Sequence, residues 1–172
     1  LYIEESDFLE TPPKKFFRLT KGAEVRLMHA YYITCDEVIK DNNNNVIELR
    51  CTYDPSSYGG WSKDGRKVKG TLHWVSCQHA INGRVNIYDR LFNTANPTNY
   101  INSDKFAQVI NQSSIETMSN VKLESSILDS NILEKYQFLR KGYFVCDKDS
   151  TKDNLVFNQI VGLRDTWSKK NK

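Results

Sequence analysis

The sequence predicts an all-β fold, and three observations carry that expectation. Apolar and polar residues alternate with a period of two in one stretch after another. Clusters of Asn, Asp, Gly and Pro punctuate these stretches at short intervals. Helical spacing occurs only in a short segment holding Phe106, Val109 and Ile110. A chain of 172 residues has room for one large domain or two small barrels. Short strands at this spacing favour two tandem β-barrels with few short helices.

The first strand is expected over 24–35, where Val25, Leu27, His29, Tyr31, Ile33 and Cys35 share one face. Glu24, Arg26 and Thr34 take the other face. Ile47, Leu49, Cys51 and Tyr53 repeat the pattern, with Glu48, Arg50 and Thr52 outward. Between them, Asp41-Asn42-Asn43-Asn44-Asn45 tolerates left-handed backbone and predicts a hairpin turn. Residues 54–65 hold Pro55, Gly59, Gly60 and Asp64-Gly65, the composition of a long loop. Val68, Gly70, Leu72 and Trp74 line one face of a third strand, and Lys67, Lys69, Thr71 and His73 the other. A fourth strand spans 84–92, with Val85, Ile87 and Leu91 inward. A turn or linker at 93–98 then divides the chain into a first portion, 1–92, and a second, 93–172. In the second, Asn102-Ser103 caps the short helix, and strands are expected at 121–123, 136–139, 143–146 and 155–163. Lys141-Gly142 supplies a tight reversal, and 147–154 a polar loop.

Twenty-four Lys and Arg against twenty-one Asp and Glu leave a net charge of only +3, so the placement of charge is more informative than its sum. Bases gather at Lys14, Lys15, Arg18, Lys21 and Arg26, and again at Lys63, Arg66, Lys67 and Lys69. The tail adds Lys169, Lys170 and Lys172. The first two clusters are interleaved with Phe16, Phe17, Trp61 and Trp74, which suits nucleic acid: cations hold phosphates while aromatic faces stack bases. Four cysteines without a CxxC pair, no apolar run of about 18 residues and no signal-peptide core point to a cytoplasmic protein with reduced thiols. A chain that opens without Met is expected to be a piece of something longer.

Catalytic signatures are missing. The P-loop, dinucleotide fingerprint, HExxH and GxSxG patterns do not occur. His73, Cys77 and His79 are the one tight group of metal-ligand types, but a zinc site needs four ligands and no second half is visible. Asp54 and Asp64 fall on the polar loop, where solvation is the ordinary fate of a carboxylate. No catalytic residue and no metal site is expected in this chain.

Several segments, in order and across nearly the whole chain, carry a resemblance. They are Pro12-Pro13-Lys14-Lys15-Phe16-Phe17-Arg18-Leu19, Gly22-Ala23-Glu24-Val25-Arg26-Leu27, Cys51-Thr52-Tyr53-Asp54 and Gly65-Arg66-Lys67-Val68-Lys69-Gly70. Leu72-His73-Trp74-Val75-Ser76, Tyr88-Asp89-Arg90-Leu91-Phe92 and Val161-Gly162-Leu163-Arg164-Asp165-Thr166-Trp167 complete the set. Together they resemble the C-terminal anticodon-binding region of glutaminyl-tRNA synthetase, a class I aminoacyl-tRNA synthetase.

The resemblance implies two β-barrels, proximal and distal to a catalytic domain of the same chain, that clamp the anticodon loop of tRNA(Gln). The C-terminal strands would complete the proximal barrel. ATP, with Mg, would serve the full-length enzyme as it joins glutamine to tRNA; no cofactor is implied here, where HIGH and KMSKS-type motifs are absent. By the same resemblance Arg18 binds the third anticodon base, Arg26 contacts the first, and Gln137 and Arg140 surround the middle uridine. Arg offers a fixed fork of donors for guanine or phosphate, and Gln supplies the donor and acceptor that an unpaired uracil edge requires. Lys14, Lys15, Arg66, Lys67 and Lys69 are candidate RNA-backbone contacts. Gln137 and Arg140 would face opposite sides of a regular strand, so joint contact needs a bulge or the turn at Gly142. Lys15, Phe17 and Met28 depart from the bacterial pattern of Gln, Lys and Arg. A eukaryotic or archaeal glutamyl-tRNA synthetase and a protein-interaction scaffold of a synthetase assembly are the alternatives.

Overall fold

A computed structural model describes residues 1–163. Residues 164–172 lie outside the described residues, and with them the Arg164–Trp167 end of the last motif and the tail lysines. The chain forms two compact units, Leu1–Gln78 and His79–Lys172.

The first unit opens with β1 (Tyr2–Ile3) and a single 3-10 turn at Glu5–Asp7. After a long irregular segment come β2 (Glu24–Leu27), β3 (Tyr32–Lys40), β4 (Val46–Asp54), β5 (Thr71–Leu72) and β6 (Trp74–Val75). Four of these form a sheet in the order β4-β3-β2-β5, antiparallel except between β2 and β5, while β1 pairs with β6. The strand expected over 24–35 is two strands. The chain reverses between them, with His29 at φ 58° and the Leu27 amide donating to the Tyr31 carbonyl at 2.9 Å. Cross-strand partners Val25 and Ile33 are both odd-numbered, so the alternation passes through the turn unbroken and hides it.

The Asx-rich hairpin forms where it is expected. The Asp41 carboxylate accepts from the amides of Asn43 and Asn45 at 2.9 and 2.8 Å, and from the Asn45 side chain at 3.0 Å. The side-chain bond to Asn45, then those amides, hold the Asp41 carboxyl below the usual range. Leu19, Val25, Leu27, Cys35 and Leu72 make the core, with Ile3, Phe8, Ile33, Leu49 and Trp74 packed around it. Ile47, Cys51 and Tyr53 on the edge strand β4 are exposed although their spacing predicted an inward face.

The second unit contains β7 (Ile81–Tyr88), a four-residue helix α1 (Phe106–Val109), β8 (Ile115–Leu123), β9 (Lys135–Phe138), β10 (Gly142–Cys146) and β11 (Leu155–Gly162). Its sheet has the order β8-β7-β11-β10-β9, with β7 and β11 parallel. Here the core combines Val85, Leu123, Ile127 and Leu155 with a group of aromatic rings. Phe138 stacks on Phe144 at 4.4 Å between centroids, and Phe157, fully buried, meets the edges of Tyr136 and Phe138.

The units divide after Gln78, and β7 takes both its neighbours, β8 and β11, from later in the chain. Among the described residues the fold is all-β with few helices, and the sheets are open and not closed barrels. β5 is only two residues long and leaves its sheet at His73. Period-two patterning reports which face of a strand is buried, and says nothing about whether a sheet returns on itself.

Candidate nucleic-acid interface

One register row crosses the first sheet: Asp54 opposite Tyr32, Tyr32 opposite Arg26, and Arg26 opposite Thr71. Cross-strand neighbours point to the same face, so β2 turns Val25 and Leu27 into the core and Arg26 to the opposite side. Arg26 is held there. Nε and Nη2 donate to the Thr71 hydroxyl at 3.0 and 2.8 Å, and Nη1 to the Gly60 carbonyl at 3.4 Å. The guanidinium lies 5.7 Å from the centre of the Trp61 ring. These bonds engage three of the five N–H groups an arginine carries.

Arg66 sits farther along the same face and is committed to the protein. Nε and Nη2 grip Glu24 at 2.9 and 2.8 Å, Nη2 also reaches Asp54, and Nη1 pairs with Asp64 at 2.7 Å. Its guanidinium rests 5.2 Å from the centre of the Tyr32 ring. The Glu24 bonds first, then Asp54 and Asp64, push the Arg66 pKa up. Arg66 in turn holds Asp54 below the usual carboxylate range. Asp64 is held down to about 2, chiefly by the Ser62 hydroxyl and then by the amide and guanidinium of Arg66. Three carboxylates more than balance one cation, so Arg66 ties the 54–66 loop to β2. Asp54 and Asp64 are therefore ion-pair partners, which the polar loop composition did not reveal.

Arg18 is positioned from the other direction. Its Nε lies 3.3 Å from the Asp7 carboxylate, and Nη1 donates to the Ser6 carbonyl at 2.8 Å. Asp7 is fully buried, whereas 41% of the Arg18 side chain stays in water. Asp7 was invisible as a site residue: it is one of four acids in the first ten positions, and only the fold turns it toward Arg18. Lys14 and Lys15 occupy an exposed turn closed by the Phe16 amide on the Pro13 carbonyl at 3.1 Å, with Lys15 at φ 71°. The Lys69 ammonium lies 5.2 Å from the centre of the half-exposed Phe17 ring. Gly70 beside it has no room for a side chain, since a Cβ would come within 2.3 Å of the Phe17 carbonyl. Lys67 is exposed.

In the second unit Gln137 is exposed on the edge strand β9, opposite Tyr143, which is opposite Val161 on β11. Arg140 is exposed in the β9–β10 turn at φ 65°. That turn, closed by the Lys141 amide on the Phe138 carbonyl at 2.9 Å, is what separates the two residues in place of a regular strand. Gly142 follows at φ 145°, where a Cβ would strike the Val161 carbonyl at 2.4 Å. A polar ladder on β7, β8 and β11 was not foreseen. Asn86 donates to Asn158 at 2.9 Å, Tyr88 to the same oxygen at 3.1 Å, and Thr117 to Asn86 at 3.0 Å. The even spacing of Asn86 and Tyr88 is the one signal that marks it in sequence.

Among the described residues no three His, Cys, Asp or Glu side chains gather as metal ligands, and no helix is long and apolar enough to cross a membrane. Two family models match, over residues 1–54 and 71–147, and both describe tRNA synthetases class I (E and Q), anti-codon binding domain. Among curated proteins, the chain is similar to a glutamine–tRNA ligase of Bradyrhizobium diazoefficiens, with 51% identity over 98% of this chain and 30% of the relative. A glutamine–tRNA ligase of Rhodopirellula baltica is 46% identical over 98% of the chain and 28% of the relative. One from Pseudomonas aeruginosa is 44% identical over 97% and 30%. The chain thus spans about 30% of the length of these relatives.

Proposed function

We propose a function from one premise: the chain belongs to the anticodon-binding domain family of the class I (E and Q) tRNA synthetases. It is the anticodon-reading part of a cytoplasmic glutamine–tRNA ligase, and its partner is tRNA(Gln). The observation that carries this reading is similarity from end to end to proteins named glutamine–tRNA ligase, which also favours glutamine over glutamate.

The residues suit the task. Arg18 and Arg26 present guanidinium forks whose orientation is already set by Asp7 and Thr71, so less side-chain freedom is lost on binding. We assign Arg18 to the third anticodon base, Arg26 to the first, and Gln137 with Arg140 to the middle uridine. Lys14, Lys15, Lys67 and Lys69 meet phosphates; Arg66 positions the loop. ATP and Mg belong to the catalytic domain of the same chain.

The test is binding of the complete protein to tRNA(Gln), to tRNA(Glu) and to tRNA(Gln) with each anticodon base replaced. Preference for tRNA(Gln), weakened at each replaced base, is the expected result. Equal binding of all variants overturns the reading, and preference for tRNA(Glu) overturns the amino-acid assignment.

A further inference from the structure

We propose that the Trp61 indole is a stacking platform for an unpaired base of the RNA held at Arg26; this deepens the anticodon reading and rests on it. Trp61 keeps 75% of its surface in water, although an indole is among the most favourable side chains to bury. An exposed tryptophan on a slack loop would signify little, but this loop is fastened on both sides of it.

Before Trp61, the buried Ser57 hydroxyl donates to the Asp54 carbonyl at 2.6 Å and accepts from the Tyr32 amide at 2.7 Å. The Gly60 amide then donates to the Ser57 carbonyl at 2.9 Å. After it, the Ser62 hydroxyl donates to the Arg66 carbonyl at 3.1 Å, and Arg66 grips Asp54, Asp64 and Glu24. Gly59 and Gly60 take φ of 81° and 86°, a left-handed conformation that side chains oppose. At Gly60 a Cβ would also come within 2.7 Å of Arg26 Cδ. The two glycines let the loop close onto Arg26 and present Trp61 beside it.

The chemistry selects the ligand. A cation over one aromatic ring, with Lys63 and Lys67 exposed nearby in sequence, suits a polyanion whose bases have π faces. Stacking tolerates any base, whereas an arginine fork discriminates among them. Trp61 therefore supplies affinity at one loop position while Arg26 supplies selectivity.

The experiment uses the complete protein and an anticodon stem-loop RNA of tRNA(Gln) carrying 2-aminopurine at each unpaired position in turn. Binding should quench one position, and Trp61→Ala should abolish that quench and weaken binding by about 5- to 150-fold. The loss should be alike for all four bases there, with an unchanged salt slope; Trp61→Phe should retain most of the affinity. Trp61→Ala binding within about two-fold, or losing affinity while the quench persists, overturns the platform. If Arg26→Ala still alters the ranking of anticodon variants in that case, the anticodon reading stands without it. A wild-type protein that binds a scrambled loop equally well overturns both.

Discussion

The two units present their candidate RNA contacts by different physical means. In Leu1–Gln78 three of the four arginines are oriented by a partner distant in sequence: Arg18 by Asp7, Arg26 by Thr71 and Gly60, Arg66 by Glu24. In the second unit Gln137 and Arg140 are placed by a hairpin whose own geometry, a left-handed residue followed by an obligatory glycine, fixes the backbone. Their cores differ in the same sense. The first packs Leu19, Val25, Leu27 and Leu72 around β2, and the second adds to its aliphatic residues the grouped rings of Phe138, Phe144 and Phe157 beneath the hairpin strands. The first unit thus pre-sets side chains, and the second pre-sets backbone.

Mutations can break that contrast. The largest effect is expected from Phe157→Ala, which should cost about 3–5 kcal/mol of stability in chemical denaturation. It should loosen the β9–β10 hairpin, seen as faster amide exchange there. If exchange at Tyr143 and Phe144 is unaltered, the aromatic layer does not support the second site. Arg18→Ala is next, with a loss of roughly 1–3 kcal/mol in discrimination at the third anticodon base. An unchanged ranking of anticodon variants would remove Arg18 from the recognition set. Lys69→Ala should weaken all tRNAs alike and reduce the salt slope by about one; a base-selective loss would make it a reading residue.

The smallest effect is a pH dependence of the 54–66 loop. The folded-state pKa of Asp64 is depressed to about 2, so its contribution is fully present above its ordinary range and fades as pH falls through about 2. A carboxyl NMR titration should find that midpoint, and both Ser62→Ala and Arg66→Gln should raise it. An Asp64 midpoint near the ordinary carboxylate value would show that the loop is not tied down as described.

How far the sequence could be read depended on whether the deciding interactions were local. The Asx hairpin at Asp41, the turn before Gly142 and the strand character of β4, β10 and β11 were legible, because each rests on neighbouring residues and the period of the pleat. The hairpin hidden in 24–35 was not, since its turn preserves the parity of the alternation and carries no Gly or Asn. The inward face expected of Ile47, Cys51 and Tyr53 failed because alternation marks which residues share a face and not whether anything packs on it.

Arginine and lysine positions were evident from the motifs, and so was the chemistry they can offer. What only the tertiary structure decided is where their charge goes. Arg66 and Arg18 belong to similar basic clusters in the chain, yet one is enclosed by three carboxylates and the other is propped half-open on a buried aspartate. Ion pairs form between residues that the fold brings within a few ångströms, up to 42 positions apart here, and no local rule of spacing encodes that distance.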